Sequence, residues 1–252
     1  MMSGKPSPQG AQAALRAIRL LKLFSAEQPE LRLGEICNRS GLNKTTAHRL
    51  LQALYSESML EKSSVDGSYR LGPALMSLGV QALSSNDLRL RARPLLKRLA
   101  EESGETATLE VPIDDTMLIL DEVTGSHFVG AVGHVGTRWP MHATSTGKVL
   151  IAFEDRGVER LDQRLAPLTA KTITERQQLE EQLSTIRERG YAETVDELED
   201  GFSGVATVVR GGMGQALGAL SICGPTQRLS DSRRASLGAT LCTAAARLQP
   251  NF

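Results

Sequence analysis

Between Lys44 and Gln52 the polar residues Lys44, Thr45, Thr46, His48, Arg49 and Gln52 alternate with the apolar Ala47, Leu50 and Leu51, and Leu54 follows. At about 100° per residue, a helix gathers the four apolar side chains on one side. Thr45, His48, Arg49 and Gln52 then lie opposite, with Lys44 and Thr46 flanking the start. Each outward group can hydrogen-bond a base edge or a phosphate, and no carboxylate occurs before Glu57. Nothing on that face repels a polyanion. In a major groove Arg49 suits guanine and Gln52 suits adenine, while Lys44 and Thr45 suit phosphate at the helix start. Lys62 and Arg70, on a hairpin further along, are placed for the neighbouring backbone. The bland alternative is a solvated helix face, and for His48 a packing role at the helix side.

A second group, Met141-His142-Ala143-Thr144-Ser145-Thr146, leads into a helix predicted to begin near Thr146. Free N–H groups at that terminus, with the Thr144, Ser145 and Thr146 hydroxyls, would face an anion placed there. Trp139, the only tryptophan, lies just before this loop and fits a cavity wall, although core packing and simple helix capping explain the same residues. Enzyme motifs fail. Ser145-Thr146-Gly147-Lys148 would be a P-loop only with glycine where His142 stands and with serine or threonine where Val149 stands. Gly130, Gly133 and Gly136 are spaced as strand and turn glycines, with no helix start after them. His127, His134 and His142 lack cysteine or carboxylate at metal spacing, and Cys37, Cys223 and Cys242 form no CxxC pair. Neither a metal, nor a cofactor, nor a disulfide framework is expected.

Elements to position these groups can be read from periodicity. Ala14, Leu15, Ile18, Leu21 and Phe24 recur at helical steps, predicting a helix with those residues buried. A short helix follows over Leu33 to Arg39, broken by Ser40-Gly41, and then one from an Asn43 N-cap to about Ser56. Met59 to Lys62 and Ser68 to Leu71 predict a hairpin around Asp66-Gly67. Gly72-Pro73 opens a further helix through Leu75, Leu78 and Leu83, and Asp87 to Glu102 is a basic helix stopped by Gly104. Beyond Thr106, strands are predicted at Met117 to Val123, Phe128 to Val135, Val205 to Val209 and Ala216 to Cys223. Helices are predicted near Thr146 to Phe153, over Thr174 to Arg189 with a Thr174/Gln177 capping box and a Gly190 stop, and over Asp231 to Leu248.

The 252 residues suit one large or two modest domains; 29 basic residues balance 29 acidic ones, and 40% hydrophobic content is ordinary globular usage. That excludes collagenous, mucin-like and wholly disordered classes. Neutrality hides an asymmetry: residues 1–80 hold ten Lys/Arg against six Asp/Glu, a net of +4 balanced by −4 in the remainder. A positive head suits an anionic partner. No apolar run reaches bilayer length, and the Pro/Ser/Gly-rich start does not resemble an export signal, so a soluble cytoplasmic chain is expected. Two other classes fit the residues less well: a small enzyme with a DNA-binding head, and an adaptor whose head meets protein rather than DNA.

The string Gly41-Leu42-Asn43-Lys44-Thr45-Thr46-Ala47-His48-Arg49-Leu50-Leu51, followed by Ser68-Tyr69-Arg70-Leu71-Gly72-Pro73, resembles the DNA-binding head of the IclR family of bacterial transcriptional regulators. The likeness continues through Arg93 to Glu105, Gly136 to Lys148, Arg187 to Ala192 and Ala219 to Pro225. It implies an α+β chain: a tail over 1–12, a winged helix-turn-helix over 13–72, a linker helix over 73–86, and a GAF-like α/β effector-binding domain over 87–252. It further implies double-stranded operator DNA, a small effector, suspected to be an organic acid, and a homodimer or dimer of dimers. The effector pocket would comprise Trp139, Met141, His142, Ala143, Thr144, Ser145 and Thr146, closed by Gly204, Ser221 and Cys223 on later strands. Gly204 falls where many relatives carry cysteine and Thr194 where they often carry an acid. The loss of a thiol either enlarges the pocket or is filled by a neighbour such as Phe202.

Overall fold

The computed structural model describes residues 11–25, 28–126, 133–154, 157–161 and 164–248. The chain divides into two compact units, separated between Ser85 and Asn86. In the first, α1 (Gln12–Leu21), α2 (Leu33–Ser40) and α3 (Lys44–Ser56) surround a core of Leu20, Phe24, Leu31, Ile36, Leu51, Leu60 and Tyr69. The α1 face differs from expectation. Leu20 is buried, whereas Ala14 is exposed and Ile18 is 50% exposed, because this short helix leans on the core only with its last turn. Gly41 ends α2 at φ +68°, a left-handed conformation that a Cβ disfavours, and Asn43 Oδ1 accepts the Thr46 N–H at 2.9 Å to start α3.

The predicted hairpin is β2 (Leu60–Lys62) with β3 (Tyr69–Leu71), and a two-residue strand unforeseen in the sequence, β1 (Glu30–Leu31), pairs on the other side of β3. Helix, helix, turn, helix and wing are therefore all present. Pro73 occupies the first turn of α4 (Pro73–Ser84), which buries no residue and exposes Met76, Leu78 and Val80.

The second unit is an antiparallel six-stranded sheet. Its strands are β4 (Thr106–Ile113), β5 (Thr116–Val123), β6 (Arg138–Pro140), β7 (Tyr191–Val195), β8 (Phe202–Arg210) and β9 (Ala216–Pro225), ordered β6-β5-β4-β9-β8-β7. Of the predicted strand Phe128 to Val135, residues 128–132 lie outside the described residues, and of the rest 133 and 134 are irregular and 135 is in a turn, none of them strand. Helices α5 (Asp87–Ser103) and α8 (Asp231–Arg247) pack on the sheet, as do α6 (Ser145–Phe153) and α7 (Arg176–Arg189). The basic run of α5 is partly internal: Arg93 Nη1 and Arg89 Nε lie 2.6 and 3.5 Å from the buried Asp121 carboxylate. The Thr174/Gln177 capping box does not form, since α7 begins later with Glu175 at its N-cap and no side-chain cap; its Gly190 stop does, at φ +83°. Among the described residues no helix is long and apolar enough to cross a membrane.

Helix α6 is buried from Ser145 to Ala152, so fully that Lys148 exists there only with Glu197 Oε2 2.5 Å from its ammonium. Its N-terminal turn sits directly on the preceding loop. A Cβ on Gly147 would lie 2.2 Å from the Met141 carbonyl oxygen, which is backbone and cannot rotate aside. Gly147→Ala is accordingly expected to destabilise the second unit by about 2 kcal/mol or more in chemical denaturation, whereas alanine at the exposed Gly41 position should act only through its backbone strain of about 1 kcal/mol.

Candidate functional site

In the first unit the polar and apolar sides of α3 separate as the period predicts. Ala47 and Leu51 are buried, Leu50 and Leu54 half-buried, and Lys44, Thr45, His48 and Arg49 exposed. Thr46 and Gln52 are half-buried at the flanks. None of these six polar side chains makes a hydrogen bond or ion pair among the described residues, which leaves them free for a ligand. On the wing, Lys62 is exposed with its ammonium 5.5 Å above the Tyr69 ring. Arg70 is exposed as well, but Glu61 Oε2 holds its guanidinium at 2.6 Å, so its charge is half spent within the wing. Asp66 is tied to Ser68 and to Arg32, whose Nη2 lies 3.0 Å away; those hydrogen bonds lower its pKa and keep it ionised.

The second unit contains a cavity of about 30 Å³ between the sheet and the N-terminus of α6, which opens toward solvent. Eight of the ten residues expected there line it: Trp139, Ala143, Thr144, Ser145, Thr146, Gly204, Ser221 and Cys223. Met141 and His142 do not. Met141 is packed into the main core, and His142 turns away so that its Nε2 meets the Ala166 carbonyl at 2.9 Å. Both follow from the short 3-10 turn over Met141–Ala143, which rotates successive side chains by about a third of a turn and leaves only Ala143 toward the cavity. The space of a missing thiol at Gly204 is already taken: a Cβ there would meet Ser145 Oγ at 2.9 Å, and Phe202 forms another part of the wall.

Residues that the sequence does not single out complete the wall: Thr108, Glu110, Ile119 and Leu198, with Thr194, which the family resemblance marks only as a departure. Glu110 changes the chemistry of the site. Its carboxyl is buried, accepting from Thr146 Oγ1 at 2.7 Å and from Thr108 Oγ1 at 2.9 Å. Thr108 Oγ1 in turn lies 2.7 Å from Ser221 Oγ. Burial raises the Glu110 pKa, and the two threonine hydroxyls only partly oppose this. The Cys223 thiol is pushed up by burial and then by the nearby Glu110, so it is protonated and unreactive at neutral pH. Among the described residues no Lys, Arg or His lines the cavity, and no cluster of His, Cys, Asp or Glu could hold a metal ion. The alternation Thr108-x-Glu110 on β4 was the signal available in the sequence, since strand residues two apart share a face.

A carboxyl whose pKa is raised by folding costs stability above that pKa: folded and unfolded forms differ in bound protons between the ordinary value and the raised one, and stability falls as pH rises through that window. Glu110→Gln keeps the shape without the charge. It is expected to raise the melting temperature of the second unit by about 2 to 4 °C at pH 7.5, with the gain shrinking toward pH 4. A gain that is constant across this range would show that the carboxyl is not the cause.

Comparison with known proteins places both units. Residues 13–64 match the family model described as the IclR helix-turn-helix domain, and residues 80–249 match Bacterial transcriptional regulator IclR C-terminal. A glycerol operon regulatory protein of Streptomyces griseus is 36% identical over 219 residues, covering 86% of each chain. A crystal structure of an IclR transcriptional regulator from Alicyclobacillus acidocaldarius has a TM-score of 0.82 at 27% identity, covering 97% of this chain and 98% of that one. An IclR homologue of Microbacterium hydrocarbonoxydans, crystallised in complex with 4-hydroxybenzoate, has a TM-score of 0.77 at 26% identity, covering 94% and 98%.

Proposed function

The chain belongs to the IclR family of bacterial transcriptional regulators, and we propose that α3 reads operator DNA while the cavity over Glu110 holds a small organic acid that controls that binding. The observation that carries the DNA half is the exposed face of α3, which offers Lys44, Thr45, His48 and Arg49 with no internal partner among the described residues and no acid on the helix. Arg49 and Gln52 address base edges, Lys44, Thr45 and Thr46 the phosphates at the helix start, and Lys62 and Arg70 the flanking backbone. For the effector half, support comes from the Ser145 and Thr146 N–H groups, which open α6 at the cavity and have no acceptor among the described residues, and from the hydroxybenzoate-bound relative. The protein acts in the cytoplasm, where its DNA is.

The DNA-binding form is a homodimer, alone or paired into a dimer of dimers. Helix α4 supports this: Met76 is 68% exposed and Val80 62%, and a second copy of the chain would cover them. Two copies of α3 then meet successive major grooves roughly 34 Å apart at a near-palindromic site. Effector binding shifts the balance between arrangements of the two heads by a coupling of about 1 to 3 kcal/mol, or 5- to 150-fold in operator affinity. The effector acts only by preferring one arrangement.

Binding measured on DNA selected from a random library tests the reading. Arg49→Ala is expected to weaken the selected site about 10- to 100-fold and to relax preference at one base pair. Lys62→Ala should weaken all sequences alike and reduce the salt slope by about one. Unchanged affinity and slope in both variants would remove α3 and the wing as the DNA surface. In sedimentation, Met76→Glu with Val80→Glu should yield monomers that lose most operator affinity; dimers of wild-type stability would show that another surface pairs the subunits.

A further inference from the structure

The hydrogen bonds of the cavity wall divide it into two ends. At one end every hydroxyl proton is spent. Thr146 gives its proton to one oxygen of Glu110 and Thr108 gives its own to the other, so in the Thr108–Ser221 contact Ser221 must be the donor. When Glu110 is ionised each of its oxygens keeps a free lone pair, and this end then shows the cavity only acceptors. At the other end the donors are unspent: the Ser145 and Thr194 hydroxyls have no partner among the described residues, and they converge at Gly204, whose Cβ would stand 2.9 and 3.5 Å from their oxygens. The helix-opening N–H groups of Ser145 and Thr146 add to that side. The two ends are close neighbours: the donors converge at Gly204 on β8, two strands from Glu110 on β4, or roughly 10 Å between strand axes, and Ser145 is next in the chain to Thr146, which bonds Glu110. Ile119, Leu198 and Phe202 supply apolar wall.

We propose that the effector is a hydroxy acid bound in one orientation, its hydroxyl donated to Glu110 and its carboxylate received by Ser145, Thr194 and the start of α6. The inference rests on the reading of this cavity as the effector site and assigns Glu110 as its specificity-determining residue. The reverse orientation brings a ligand carboxylate against Glu110 in a pocket with no lining cation among the described residues, where two carboxyls must share one proton. A ligand lacking the hydroxyl leaves the buried carboxyl without its best donor. A donated hydroxyl also favours the ionised form of Glu110 and so offsets part of the burial that raises its pKa. The other charged groups around the site are already engaged. Glu105 is held by Arg228 at 2.7 Å, Asp121 by Arg93, and Lys148 by Glu197, while Glu122 Oε1 meets His134 and Cys223 stays protonated.

Calorimetric titration of the full chain at pH 7.5 tests this with matched probes: 4-hydroxybenzoate against benzoate and 4-hydroxybenzamide, and lactate against propionate and lactamide. In the wild-type chain at least one hydroxy acid is expected to bind about tenfold or more tighter than its deoxy partner. Glu110→Leu should erase that preference, and Glu110→Gln, which retains an acceptor, should keep part of it; circular dichroism checks that both variants fold. Equal affinity for hydroxy and deoxy acids in the wild-type chain, or a preference that survives Glu110→Leu, overturns the assignment of Glu110. A hydroxyl preference without a preference for acid over amide leaves Glu110 in place and overturns the organic-acid reading instead. Absence of binding by every probe at millimolar concentration overturns both.

Discussion

The contact of Thr146 with Glu110 joins the first turn of α6 to the middle of the sheet, and the shape of the effector unit depends on it. A carboxyl buried in that position is costly unless donors surround it. Thr146 reaches it from the helix and Thr108 from the same strand, with Ser221 behind Thr108 from the adjacent strand. That polar chain ties the helix terminus to two neighbouring strands around a space that apolar side chains would otherwise close. The cavity is therefore held open by polar groups that need one another, while the rest of α6 is sealed by Val149, Leu150 and Ile151 in the core below.

The same helix explains why so many polar residues sit inside this unit. Placing α6 centrally buries everything from Ser145 to Ala152, and its side chains find partners in every direction: Thr144 caps Gly147, Thr146 meets Glu110, and Lys148 meets Glu197. The Lys148–Glu197 pair lies away from the cavity, so the Ser-Thr-Gly-Lys string divides its work. Its first residues face the ligand space, its glycine allows close approach to Met141, and its lysine fastens the helix to the loop after β7. A phosphate-binding loop needs that lysine free, and here it is spent on a carboxylate.

Periodicity made the head legible because α3 is amphipathic on its own: Ala47 and Leu51 could only go inward, which sent His48 and Arg49 outward. The α1 face was less legible, since Ile18 and Phe24 look alike in a helical pattern, and only the tertiary core decides that the last turn is the part covered. Strand β1 has two residues, too few to show alternation, and exists because β3 offers it an edge. In the effector unit the hydroxyl-rich run before Thr146 pointed to the helix end that bounds the cavity, yet Met141 and His142 do not line it, because the 3-10 turn carries their side chains elsewhere. Glu110 stayed hidden in a run that reads as an ordinary strand. Its neighbours in space, Thr146 and Ser221, are 36 and 111 residues away in sequence, and no local pattern joins them.

The two units solve opposite electrostatic problems. On α3 cations are left unpaired in solvent, where hydration makes that inexpensive, and their charge remains available to a polyanion. In the effector unit a carboxyl is buried with hydroxyls instead of a cation, so its charge stays sensitive to whatever enters. Had an arginine stood beside Glu110, the pair would be mutually satisfied, as Glu105 is by Arg228, and an arriving ligand would gain little by touching it. Neutral donors leave the carboxylate only partly compensated, and each further donor is worth more in a site of low polarity than in water. That residual demand lets a small ligand exert leverage on the position of α6 and the strands it holds.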